Sequence, residues 1–539
     1  MCFVEHPRVH ADDETPAEQA ASLIRKRCQL DGVSRVFSEP RSHTPRAHAS
    51  VDAPVAFASP SRLRNMSRVA SLAAALASLL AFACAASPEG AIPDVSVDVE
   101  TLPAQLLELS RLSSAEPGTG VTRLIFTEED VAARDYVKAR MADAGLEIRE
   151  DAMGNIFGRW VGSEPHLPAV GSGSHTDAIP QSGAYDGTLG VLGPIEAIAA
   201  LRRAGFTPRR SIEALMFTSE EPTRFGVSCV GSRAMAAKLD PEYLAGLSDV
   251  LTENGTFLDA AKAAGYALDA ETHADMVEAC AARPGAYSAF LELHIEQGPE
   301  LEREGLDLGL VTAIAAPAAL RCSFEGDGGH AGAQLMPARN DALAAAAELT
   351  LAVERLAKAT GAVDTVATVG VLKVGPGAVN SVPRTAEMEI DVRDVDGARR
   401  DALVAAILRE GEAIASRRNA RWSSVVLNAD PPASCATSVV DAAAEAATRL
   451  GLASKRMVSR AYHDSLFVAE FAPTGMLFVP CREGWSHRPD EFAEPGHIKN
   501  GVEALALALA RLSLDAPVTH EEPNAGGVGS KTSDRSSEL

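Results

Sequence analysis

From Thr127 onward, apolar positions recur with a helical period in some stretches and as short unbroken runs in others. Helices are expected over residues 128–144, 190–204, 439–450 and 498–512. The short apolar runs at 169–174, 211–218, 288–293 and 475–479 predict buried strands. Strands alternating with helices in this way predict an α/β domain built on a parallel sheet. Polar residues gather at and just past the strand ends, where open α/β sheets place their chemistry.

Between residues 318 and 430 the rhythm changes to strand 318–325, helix 341–358, strand 365–373, strand 385–393, helix 397–416 and strand 422–428. That order, βαββαβ, predicts a ferredoxin-like sandwich inserted into the main domain. The α/β alternation returns after Pro431-Pro432, so the catalytic domain is expected in two pieces, 98–317 and 430–514, flanking an insert at 318–429. A site that uses His487 therefore closes only when the two pieces come together.

The ends differ from this pattern. Residues 1–65 are rich in Arg, His, Ser and Pro without apolar periodicity and are expected to be disordered or an extension of the gene reading. Residues 66–86 have a basic start, an uncharged apolar middle and small residues around Cys84, which is the layout of a signal peptide. A secretory or endoplasmic-reticulum route is the expectation, with an organelle or the cytoplasm as the alternative. Residues 515–539 read as a disordered tail.

Length and charge narrow the partners. The 539 residues suffice for two folded domains. A formal charge of -23 argues against nucleic acid or an anionic membrane surface as partner. Of eight cysteines, Cys2, Cys28 and Cys84 precede the folded part, and the remaining five are scattered, with no zinc-ribbon or disulfide framework.

The chemistry concentrates in a few places. His175 and Asp177 form a His-x-Asp pair, in which Asp177 or a nearby backbone group can fix the second nitrogen of a ligating imidazole, and Asp186 sits between Tyr185 and Gly187. Glu220 and Glu221 follow an apolar strand and precede a proline, while His294 and His487 occupy polar settings near glycine. Taken singly, each reads as a turn or a hydrogen-bonded core residue. Taken together, they are five N/O donors plus one spare carboxylate. Two adjacent carboxylates facing one pocket repel unless a cation neutralises one, which points to Glu221 as ligand and Glu220 as proton shuttle. Two divalent ions sharing a carboxylate, Mn2+ by preference and Zn2+ as the alternative, fit donors without sulfur. No Gly-x-Ser-x-Gly elbow supports a covalent route. The expectation is a two-metal hydrolase.

At these residues the chain resembles the dinuclear-metal amidohydrolase family that includes allantoate amidohydrolases, N-carbamoyl-L-amino-acid hydrolases and β-ureidopropionases. Six blocks carry the resemblance in order: SGAYDGTLGVLGPIEAI, FTSEEPTRFGVSCVGSR, AFLELHIEQGPELEREGLD, GGHAGAQLMPARNDA, NSVPRTAEMEIDVRD and SRAYHDSLF. The resemblance implies a metal-dependent exopeptidase-like fold, with the insert serving as lid and dimerisation domain. It implies one ion held by His175, Asp186 and His294, the other by Asp186, Glu221 and His487, with Glu220 as general base beside Asp177. It also implies a homodimer in which His330 steadies the oxyanion from the partner subunit. Asn380 and Arg393 would clamp a substrate carboxylate, and Gln297 and His463 would contact the ureido group and the middle of the substrate. Where relatives commonly carry glycine, this chain has Tyr462. A phenol there is expected to shrink the pocket and to offer a hydroxyl donor to a short hydroxylated ureide, with ordinary packing variation as the alternative. The rivals are another ureido substrate, a metal-dependent exopeptidase or aminoacylase on the same scaffold, and a catalytically silent dimer.

Overall fold

Strands buried on both faces need helices on both sides, and the central strands here, Ala169–His175 and Ile212–Phe217, are buried at every residue. In a computed structural model, which describes residues 92–515, they lie mid-way in a nine-stranded sheet. Its order is Ala433–Ser434, Leu308–Ile314, Thr474–Val479, Tyr287–Ile295, Ala169–His175, Ile212–Phe217, Ile156–Trp160 and Glu147–Glu150, with Ser454–Ser459 paired to Leu308–Ile314. The four central strands, from Thr474–Val479 to Ile212–Phe217, are mutually parallel. Their neighbours on either side, Leu308–Ile314 and Ile156–Trp160, run antiparallel to them. The carboxyl ends of the parallel set therefore open on one edge.

Helices Thr188–Arg203, Thr437–Leu450 and Pro495–Leu514 supply much of the core on one face, packing on Leu291, Leu293, Ile295, Leu477 and Val479. Alternation along Tyr287–Ile295 turns Phe290 to a separate cluster on the opposite side. Helix Glu128–Asp143 begins with Thr127, whose hydroxyl accepts the N–H of Asp130, and with three acidic residues in the first turn, where the helix dipole favours them.

Residues 316–429 form a second sheet. Its strand order is Val366–Gly375, Thr385–Asp394, Ala316–Glu325, Arg421–Ala429, all antiparallel. Helices Ala342–Ala359 and Gly397–Arg418 enclose a core of its own around Leu320, Phe324, Leu349, Ile390 and Ile407. That is the ferredoxin-like arrangement. Residues 318–325 were expected as its first strand; the observed strand starts two positions earlier, where Ala316 pairs with Asp394.

The expected signal-like segment and tail lie outside the described residues. Among the described residues no helix is long and apolar enough to cross a membrane.

Candidate metal centre

The strands of the parallel set bring polar groups to the open edge. His175 is the last residue of its strand, Glu220 and Glu221 follow Ile212–Phe217, and His487 lies beyond Thr474–Val479. Asp186 sits on the loop that enters helix Thr188–Arg203. The expected strand 288–293 would leave His294 just outside; instead the strand is Tyr287–Ile295, because Phe478 and Val479 pair with His294 and Ile295. His294 thus projects from inside the sheet and is fixed more firmly than a loop ligand. Backbone in the left-handed region, rare for non-glycine residues, flanks the site at Ser219, Gln297 and His487.

The donors form two sets that share one carboxylate. Asp186 Oδ1 lies 3.2 Å from His294 Nε2 and 3.9 Å from His175 Nε2. Its Oδ2 lies 3.1 Å from His487 Nε2, which is 3.3 Å from Glu221 Oε1. Ligand atoms about 2.1 Å from a tetrahedral ion stand about 3.4 Å apart, so both sets fit a divalent cation. Within each set the candidate atoms lie inside 4.8 Å of one another. A third cluster, Glu292 with His294 and His463, is already satisfied: Glu292 accepts from Ser174 Oγ at 2.7 Å and Ser465 Oγ at 2.6 Å.

Hydrogen bonds orient the rings. His175 Nδ1 donates to the carbonyl of Asp177 at 2.9 Å, and His294 Nδ1 to the carbonyl of Ile295 at 2.9 Å. In both, Nε2 is turned toward Asp186, and that of His294 also lies 3.2 Å from the Gly187 N–H. Gly187 is required for close approach: a Cβ there would meet His175 Nε2 at 2.4 Å. The Asp177 carboxylate lies beside the first donor set, with Oδ1 3.8 Å from His175 Nδ1. Its two oxygens accept the N–H groups of Glu220 at 3.2 Å and Glu221 at 2.9 Å, so it holds the backbone of the glutamate pair.

The electrostatics call for cations. Burial alone would lower the His175 pKa, but Glu220, Asp177 and Asp186 around it raise it to about 10. Hydrogen bonds donated to Asp186 and Glu221 push His487 up to about 11. Burial, reinforced by the charges of Glu221 and Asp464, holds Glu220 well above the usual carboxylate range. Asp186 stays well below it in spite of burial, because His294 and His487 donate to it. Such a crowd of carboxylates holding protonated imidazoles is what a pair of divalent ions would relieve.

One residue of this site escaped the sequence reading. Glu491 is buried; its Oε1 accepts the N–H groups of Tyr185 at 2.8 Å and Asp186 at 3.0 Å. Ser486 Oγ lies between Glu491 Oε2 at 2.9 Å and Asp186 Oδ2 at 3.0 Å. Burial, then the Asp186 charge, raises its pKa to about 7. Gly183 leaves it room: a Cβ there would fall 2.1 Å from its carboxyl carbon. Glu491 therefore ties the loop of the shared ligand to the loop of His487. Glu491→Ala leaves two buried N–H groups unpaired and should weaken metal binding about 10–100-fold, the usual effect of losing an outer partner. Glu491→Gln keeps an acceptor for both N–H groups and a donor for Ser486 and should bind metal nearly as the parent does. Metal titration by calorimetry separates the two, and equal affinities for Ala and parent would remove the role.

The remaining candidates are distributed unevenly. Gln297 Nε2 donates to Asp186 Oδ2 at 3.0 Å, and its buried Oε1 has no partner among the described residues. His463 is buried against His294, ring centroids 4.7 Å apart, with Nε2 2.8 Å from Ser459 Oγ. Burial and the neighbouring His294 keep it well below the usual histidine pKa, hence neutral. Arg393 is only partly available, since Asp391 occupies Nε at 2.8 Å and Nη2 at 3.2 Å. His330 and Asn380 are exposed together on the inserted sandwich, where His330 pairs with Ser381 and the Asn380 carbonyl accepts from Ala331. Among the described residues neither has a side-chain hydrogen bond to the metal centre. Tyr462 corrects the expectation of a free hydroxyl. Its OH donates to Asp430 Oδ2 at 2.6 Å and accepts from Arg233 Nη2 at 2.7 Å, inside a two-pronged Arg233–Asp430 ion pair. Asp430 is where the chain returns from the sandwich, so the phenol ties that return to the catalytic domain.

A parallel sheet edge carrying two N/O donor sets, one shared carboxylate and a spare glutamate defines a dinuclear metal-dependent hydrolase. Residues 171–511 match Peptidase family M20/M25/M40, and the chain belongs to that family. It is 54% identical over 422 residues to ureidoglycolate hydrolase of Arabidopsis thaliana, covering 78% of this chain and 88% of that protein. It is 39% identical over 414 residues to an N-carbamoyl-L-amino acid amidohydrolase of Geobacillus stearothermophilus, covering 77% and 98%. Its fold superposes on the crystal structure of AtUAH in complex with (S)-hydroxyglycine with a TM-score of 0.72 at 53% identity, covering 78% of this chain and 99% of that one.

Proposed function

We infer that the chain is a metal-dependent amidohydrolase that cleaves the ureido C–N bond of (S)-ureidoglycolate. The observation that carries this is the joint one: 54% identity to a ureidoglycolate hydrolase across most of both chains, with Glu220 Oε2 3.8 Å from His175 of one donor set and Glu220 next in sequence to Glu221 of the other. The more distant carbamoyl-amino-acid relative, at 39%, supports ureidoglycolate over an N-carbamoyl amino acid. Two divalent ions, for which we take Mn2+ with Zn2+ sharing the ligands, would supply Lewis acidity and make water a better nucleophile near neutral pH. His175, Asp186 and His294 would hold one, and Asp186, Glu221 and His487 the other.

Glu220 accepts a proton from the attacking water and returns it to the departing nitrogen. Water adds to the ureido carbon, the bond to the terminal nitrogen breaks and ammonia leaves. The N-carboxylated product loses CO2 to give hydroxyglycine, which loses ammonia to give glyoxylate. The unpartnered Gln297 Oε1 suits a ureido N–H, and neutral His463 can accept or donate without adding charge. Arg393 and Asn380 belong to a carboxylate clamp. The exposure of His330 and Asn380 on the insert supports a homodimer in which His330 acts on the partner subunit. Targeting to the secretory route rests on residues 66–86 alone.

Ammonia release from ureidoglycolate, allantoate and N-carbamoyl-β-alanine, before and after chelation and Mn2+ add-back, tests the reading. Release from ureidoglycolate should vanish on chelation and return with Mn2+. Release from allantoate alone would move the substrate assignment and keep the amidohydrolase reading, whereas cleavage of dipeptides alone would overturn both.

A further inference from the structure

Behind Glu220 lies a cysteine in an unusual backbone state. Cys229 precedes helix Val230–Met235 with φ +58° and ψ 36°, the left-handed region that glycine enters freely and other residues avoid. Three hydrogen bonds hold the chain there: Cys229 N–H to the Glu220 carbonyl at 2.9 Å, Val230 N–H to Ser219 at 2.9 Å and Gly231 N–H to Thr218 at 2.8 Å. Residues 218–220 and 229–231 thus run side by side.

The conformation aims the Cys229 side chain at its neighbour. Sγ donates to Glu220 Oε1 at 3.4 Å, while Glu220 Oε2 faces His175 Nε2 at 3.8 Å. Among the described residues this thiol makes the one side-chain hydrogen bond to the Glu220 carboxylate. It belongs to a buried apolar cluster with Leu466, Phe467, Met476 and Phe478. Burial, with Glu220 and Asp464 nearby, keeps the thiol well above its usual pKa, so it is a neutral donor and not a nucleophile.

We propose that Cys229 is a positioning residue: its S–H holds Glu220 Oε1 and so turns Oε2 toward the metal centre and the attacking water. The inference rests on Glu220 being the proton-transfer group. It gives the strained cysteine a purpose that glycine, better suited to the backbone, would not serve.

Steady-state kinetics on the full chain, with metal content by elemental analysis, decides it. Cys229→Ala and Cys229→Gly should each lower kcat about tenfold, the scale of one hydrogen bond to a charged group, with KM and two bound metals unchanged. Cys229→Ser restores a donor and should return kcat to within about twofold of the parent. If the residue only shapes the backbone, Cys229→Gly keeps native kcat and melts no lower than the parent, and the proposal is wrong. Failure of serine to restore a well-folded enzyme also overturns it. Glu220→Gln is the control. If it retains native kcat, the Glu220 reading falls and takes this inference with it. If Glu220→Gln is inactive while Cys229→Ala is fully active, only the inference falls.

Discussion

Glu220→Gln should lower kcat by about 10²–10⁴-fold, the range a well-placed general acid–base group supplies, while both metals stay bound. The amide has nearly the carboxylate's shape, so Cys229 Sγ keeps an acceptor and the backbone held by Asp177 is undisturbed. What disappears is the capacity to take a proton. The same change one residue along has a different signature. Glu221 Oε1 faces His487 Nε2 at 3.3 Å in the donor set shared with Asp186, so Glu221→Gln should lose metal and regain activity as metal is added. Measuring kcat against metal concentration for both variants separates proton transfer from ligation. Rescue of Glu220→Gln by metal would reverse the assignment of the two glutamates.

The parts of this fold that were legible in the sequence are those whose burial is one-sided or periodic. The sandwich strands expose one face, so Thr385–Asp394 alternates almost perfectly and its limits match the expected 385–393 to within a residue. Its helix Ala342–Ala359 begins at Asp341, whose side chain accepts the N–H of Ala344, a signal readable from residue type. The central strands are less sharply bounded because both faces are buried. Hence His294 reads as a residue beyond a strand although it belongs to one.

The donor set was legible because polar residues at the ends of apolar strands have little else to do in a sheet of this kind. The groups that hold the donors were not. Glu491 reads as part of an exposed Asp-Glu turn, and its partners Tyr185 and Asp186 lie 306 and 305 positions away. Asp177 reads naturally as the partner of His175, yet its carboxylate serves Glu220 and Glu221, 43 and 44 positions on. Tyr462 reads as a pocket residue because the sequence shows what it replaces and not what it touches. Asp430 and Arg233, 32 and 229 positions distant, take its hydroxyl only once the sandwich is in place. Long-range polar pairing of this kind has no local period to reveal it.

Asp186→Asn should affect both metals at once, and that joint loss tests whether the centre is dinuclear. A single residue offers Oδ1 to the His175–His294 set and Oδ2 to the His487–Glu221 set. Replacing one oxygen by an amide nitrogen removes a ligand atom, and the negative charge leaves both sites together. Whichever way the amide turns, one set loses a donor and the other keeps a weaker neutral one. The flip is not free: Gln297 Nε2 donates to Oδ2 and Ser486 Oγ stands 3.0 Å from it. These partners favour oxygen at Oδ2, so nitrogen is expected to face His175 and His294, and that set should empty first. Outer partners cost about 10–100-fold in affinity, and a shared direct ligand must cost more. Metal content should therefore fall from two ions per chain to one or fewer, with activity lost in step. His175→Ala, which strips only the first set, should leave one ion near its parent affinity. Two ions retained by Asp186→Asn at parent affinity would show that Asp186 does not bridge.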